Sequence, residues 1–80
     1  MDRNRFLEMC RDVARIKGGI FGKKNVPDKL LVVYNGNEYY PSKYEMSFDE
    51  KGKTINTAVI HDLNTNAWYY VPLNLVEEKE

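Results

Sequence analysis

The chain has 80 residues, 42% of them hydrophobic, and balances 12 Lys and Arg against 12 Asp and Glu around a single cysteine. That length leaves no room for a two-domain enzyme or a repeat array, and the composition excludes disordered, collagenous and coiled-coil classes. No apolar run approaches the ~20 residues of a membrane span, the N-terminus lacks a signal-peptide core, and one cysteine allows neither an internal disulfide nor a multi-cysteine zinc site; a soluble protein of the reducing cytoplasm is expected.

In chain order, residues 3–17 are predicted to form one amphipathic helix. Phe6, Met9, Cys10, Val13 and Ile16 recur at helical spacing, with Leu7 and Ala14 widening the stripe. Asp2 or Asn4 can cap its start, and Gly18-Gly19 stop it. The opposite face carries Arg5, Glu8, Arg11, Asp12 and Arg15 in i, i+3 pairs, a solvated face before it is a docking face.

Residues 18–28 read as a connector with three glycines and a proline, and its Ile20, Phe21 and Val26 are expected to tuck it under the core. From residue 29 the period becomes two. Residues 30–34 make a first strand, and Asn35-Gly36 is the strongest short hairpin signal a sequence can carry. Residues 38–40 return along it until Pro41 interrupts the ladder. Tyr44, Met46 and Phe48 alternate with polar residues in a third strand, residues 49–53 turn at Gly52, and residues 55–63 alternate again. Asn64-Thr65-Asn66 turns once more, residues 68–73 close the meander, and residues 77–80 are a charged tail. The expectation is a single α+β domain over residues 1–80: one helix packed on a curled antiparallel sheet of about four strands.

Two short segments in this meander resemble Src-homology-3-type small barrels. Tyr44-Glu45-Met46-Ser47-Phe48-Asp49-Glu50-Lys51-Gly52 is similar to that family's strand and diverging turn, and Val71-Pro72-Leu73-Asn74-Leu75-Val76 to its closing segment. The resemblance covers about 40 residues and implies an SH3-like barrel or half-barrel. It implies less about the family's groove for proline-rich peptides, which needs several aromatics. Tyr34 and Pro72 stand where two groove members would be, whereas Gly36, Thr57, Ala58 and Leu75 occupy positions of others. Glu38-Tyr39-Tyr40-Pro41, Thr57 through Leu63 and Tyr70-Val71-Pro72-Leu73 also look like small uncharacterised bacterial proteins of prophages and mobile elements, a context that assigns no activity.

Candidate chemistry is sparse. His61, the one histidine, precedes Asp62, but neighbours in a strand point to opposite faces and cannot form a dyad. Cys10 lies on the apolar stripe and reads as a small buried hydrophobe. Gly18-Gly19-Ile20-Phe21-Gly22-Lys23-Lys24 fails as a phosphate loop, because a Lys stands at the first Gly position and no strand precedes it. Glu38, Glu45, Asp49, Glu50 and Asp62 show no metal-ligand spacing. No catalytic residue, cofactor or metal is therefore expected.

Two surfaces remain. Tyr39 and Tyr40 must face opposite ways, as must Tyr69 and Tyr70, so some aromatic surface is expected to be exposed. Tyr39, Tyr44, Trp68 and Tyr70 are the candidates for an aromatic contact face, with Trp68 and Tyr70 on one side. The competing expectation is that the helix or the barrel interior covers them. Arg5, Arg11, Arg15, Lys23 and Lys24 are the candidates for a weak nucleic-acid contact. Residues 1–24 hold seven basic and three acidic residues, and residues 25–80 five basic and nine acidic, so a +4 segment is joined to a −4 one. A pI near 6.6 argues against a strong phosphate grip and for attraction within the molecule. The function expected is a non-catalytic protein-interaction or accessory module, with an unknown protein or a second copy as partner, and with nucleic-acid binding as the alternative.

Overall fold

The computed structural model describes residues 1–17 and 27–79. Helix α1 spans Arg3–Lys17, as the periodicity requires. Asp2 caps it: its carboxylate accepts the Arg5 N–H at 3.2 Å and its carbonyl the Phe6 N–H at 3.0 Å, satisfying donors that the first turn leaves open. Phe6, Met9, Cys10 and Val13 are buried and Ile16 packs against them. Leu7 and Ala14, expected to widen the stripe, are exposed; the buried strip is narrower than the apolar one.

Five strands follow: β1 (Val32–Tyr34), β2 (Asn37–Phe48), β3 (Thr54–Asp62), β4 (Ala67–Pro72) and β5 (Glu77–Glu78). All described pairings are antiparallel, in the order β4-β3-β2-β1-β5. β4 and β5 lie at opposite ends of that order, so the sheet is not closed. Short 3₁₀ turns at Asp28–Leu30 and Leu73–Leu75 precede β1 and β5. The fifth strand, in what was expected to be a charged tail, lies outside the expected sheet of about four. Glu77 and Glu78 pair with Val33 and Val32, which period-2 hydrophobicity cannot announce in a run of acids.

The two short strands expected on either side of Pro41 are one strand of 12 residues. Pro41 pairs with Ile60 and Lys43 with Val59, so Ser42 is an extra residue and the register shifts there. A residue without an N–H is tolerated beside such an irregularity. The shift also reverses the alternation of faces. Tyr39 and Pro41 before it, and Tyr44, Met46 and Phe48 after it, all lie on the helix side of the sheet. A strand of 12 residues reaches about 40 Å, which accounts for the 44 Å long axis of a molecule otherwise 24 × 22 Å across.

The turns follow their chemistry. Asn35 and Gly36 have φ of 53° and 80°, the pair of positive values that a two-residue type I′ hairpin demands. The β2–β3 turn closes with Asp49 N–H on the Lys53 carbonyl and Gly52 at φ 79°. Asp49 Oδ1 accepts from the N–H groups of Lys51 and Lys53. The core lies between α1 and one sheet face: Phe6, Met9, Cys10 and Val13 meet Val32, Tyr39, Ala58, Ile60 and Val71, with Leu30, Leu73 and Val76 closing the ends.

Candidate functional site

The sheet face away from α1 carries Tyr40, Lys43 and Glu45 of β2, Ile55, Thr57, Val59 and His61 of β3, and Trp68, Tyr70 and Pro72 of β4. Register decides the neighbours: His61 is opposite Trp68, and Val59 opposite Tyr70. The His61 imidazole stacks on the Trp68 indole, with centroids 4.0 Å apart and planes 9° from parallel. His61 Nε2 lies 2.9 Å from Asn66 Oδ1, a hydrogen bond between ring and amide. Asn66 stands at φ 61°, the left-handed conformation that asparagine tolerates, so the turn aims its amide back at the strand. Asp62 Oδ1 in turn accepts the Asn64 N–H at 2.9 Å.

His61 and Val59 are each only 2% exposed, whereas Trp68 and Tyr70 remain 50% and 63% exposed. The outer aromatics thus form a raised ridge over a packed floor. Asp62 alternates to the opposite face from His61, and no acid–base dyad forms between them.

The four aromatic candidates do not share a surface. Trp68 and Tyr70 stand side by side on the outer face, and the expectation that the helix or the interior covers them fails for both. Tyr39 is in the core at 8% exposure, edge-to-face with Tyr69 at 5.4 Å. It cannot serve as a contact residue without unfolding. Tyr44 is half-buried against the core with its hydroxyl on Asn56 Oδ1. The register shift at Ser42 is the reason, since it turns Tyr44 toward the helix. The two residues matched to the Src-homology-3 groove are also separated: Tyr34 packs on the core side and Pro72 lies on the outer face.

The basic candidates are scattered as well. Arg5 is tied to Glu8 at 2.6 Å and to Glu78 of β5 at 2.8 Å, and the Glu78 contact with its charge holds the guanidinium pKa above its ordinary value. Arg15 pairs with Asp12 at 3.5 Å, and Arg11 is exposed. Lys23 and Lys24, with the Gly-rich segment that holds them, lie outside the described residues. Arg5–Glu78 is a direct contact between the basic segment and the acidic one. Lys79 adds a second tie at the same edge, bridging Glu38 and Asp28, and its pKa is raised chiefly by the Glu38 contact. Sequence reasoning passed over Lys79, whose partners lie 41 and 51 residues away.

Cys10 is buried under the helix, and the loss of water pushes its thiol pKa up to about 12. Among the described residues no group of three or more His, Cys, Asp or Glu is placed to hold a metal ion, and no helix is long and apolar enough to cross a membrane. Compared with known proteins, the chain matches no family model, no curated protein and no solved structure.

Proposed function

We propose that this is a cytoplasmic, non-catalytic interaction module whose outer sheet face, ridged by Trp68 and Tyr70, receives a partner protein. The observation that carries the reading is the exposure of these two large aromatics, adjacent on one face, over the buried His61 and Val59. Aromatic side chains offer large contact areas at low entropic cost and dominate interface energetics. A rigid floor holds them in place before binding, so little ordering is left for the complex to supply. The long β2, shared by the β1 and β3 ladders, and the C-terminal strand returning to β1 support reading the sheet as a half-barrel of the Src-homology-3 type. The separation of Tyr34 from Pro72 argues against that family's peptide groove as the contact.

Affinity capture with the full chain, compared with a variant carrying both Trp68→Ala and Tyr70→Ala, tests the reading. A protein partner retained by the wild type is expected to be lost by the double variant, with the far-UV spectrum unchanged. A partner retained equally by both would exclude this face. Fluorescent single- and double-stranded DNA titrated at low and moderate salt tests the alternative. Affinity that falls as salt rises and is lost in Arg11→Ala/Arg15→Ala would replace the protein partner with a nucleic acid.

A further inference from the structure

We propose that the free edge of β2 between Lys43 and Phe48 is a self-association edge, pairing antiparallel with the same segment of a second copy about a two-fold axis at Met46. β1 pairs only with Asn37, Glu38 and Tyr39 of β2, so beyond Lys43 no strand among the described residues takes that edge. An unpaired edge presents a row of N–H and C=O groups to any strand of matching phase. Here the phase follows from the turn: Asp49 directs its N–H inward, to the Lys53 carbonyl. Backbone groups alternate along an antiparallel strand, so those of Phe48, Met46 and Tyr44 point outward.

Outward-pointing residues must face one another, which leaves few registers. Centring on Glu45 would set two carboxylates directly opposite, and centring on Ser47 would set Glu45 against Asp49; like charges so placed are destabilising. Centring on Tyr44 would recruit Pro41, which has no N–H to donate. Centring on Met46 sets Lys43 against Asp49 and Glu45 against Ser47 on the outer face. On the helix face it sets Tyr44 against Phe48, and Met46 against itself. That register combines opposite charges with an aromatic pair without recruiting Pro41, and it forms about six backbone hydrogen bonds. It also covers Met46 and Phe48, which are 52% and 64% exposed in the isolated chain. A two-fold pairing closes on itself and stops at a dimer.

Sedimentation equilibrium of the full chain over a range of concentrations tests the proposal, with far-UV spectra confirming that each variant folds. The wild type is expected to dimerise, and Met46→Lys, which sets two ammonium groups face to face, to be monomeric. Ser47→Lys sets a cation against the partner copy's Glu45 at two symmetric positions and is expected to tighten the dimer by about 2- to 30-fold. Ser47→Glu is expected to weaken it, and this pair decides the matter should Met46→Lys fail to fold. Met46→Cys is expected to form an interchain disulfide on mild oxidation, since directly paired residues lie about 5.5 Å apart, whereas Ile55→Cys on β3 is not. A wild type that is monomeric at every concentration overturns the proposal, as does a dimer that Ser47→Lys weakens. The double variant Trp68→Ala/Tyr70→Ala is expected to dimerise like the wild type. Loss of the dimer in that variant would place self-contact on the aromatic face, overturning the edge while leaving the face intact.

Discussion

At the scale of single residues, burial decides more than chemical type. Cys10 and His61 are the two side chains whose chemistry most invites an active-site reading, and both are packed away. For Cys10 burial disfavours the thiolate and carries its pKa from 9.0 to about 12. Between those values the unfolded chain has lost a proton that the folded chain keeps, so stability falls as pH rises above about 9. The stabilising contribution of the neutral thiol is fully present below that pH. In Cys10→Ala, which removes the titrating group, the fall in urea midpoint between pH 9 and 11 is expected to be shallower than in the wild type. Equal slopes would mean that the thiol is as ionisable in the fold as outside it. His61, held between the Trp68 ring and the Asn66 amide, supports the outer face as a structural member.

At the scale of elements, the register shift at Ser42 has the widest effect, because it sets which residues of β2 face the helix. Deleting Ser42 would remove only the extra residue, leaving Lys43 opposite Val59 in a regular ladder with Tyr44, Met46 and Phe48 still toward the helix. The deletion variant is therefore expected to keep a cooperative transition in a urea titration followed by circular dichroism, as is Ser42→Ala; loss of cooperativity in the deletion alone would mean that the extra residue is needed to hold Tyr44, Met46 and Phe48 on the helix face. This same shift marks where the sequence was hard to read. The helix was legible to its last residue, because five apolar side chains keep one period and a capping Asp and paired glycines bracket them. The three β-turns were legible from Asn-Gly, Gly52 and Asn66, residues that tolerate positive φ. By contrast, Pro41 and the change of phase after it read as a break between strands, since an extra residue in a ladder has no local signature. β5 was invisible for a related reason: two glutamates become a strand only because Val32 and Val33 offer them an edge. The Trp68–Tyr70 pair could be anticipated from alternation alone, while the burial of Tyr39 depended on which face the helix would choose.

For the whole molecule, neutrality conceals a division of charge that the fold partly joins. Arg5 of the basic segment reaches Glu78, and Lys79 spans Asp28 and Glu38, so these three ion pairs gather around the edge formed by β1 and β5, apart from Arg15–Asp12 on α1 and Lys43–Glu45 on β2. This edge is short, and two residues of ladder hold it alongside the ion pairs. Lys79→Ala is expected to lower the thermal midpoint by a few degrees at low ionic strength, and the deficit is expected to shrink in high salt, where exposed pairs are screened. Lys29→Ala on the exposed side of the preceding 3₁₀ turn serves as the comparison, with no shift expected. A Lys79→Ala deficit that persists undiminished in salt would assign the effect to the packing of the lysine stem.

The sheet is also a partition between two natural probes. The chain's one indole, Trp68, stands on the outer face, and its one thiol, Cys10, lies beneath the helix on the other. Fluorescence emission therefore follows the opening of the β3–β4 ladder, while thiol labelling follows the undocking of α1. Recorded together during denaturation, they time the separation of the two layers independently in the native sequence, without an introduced label.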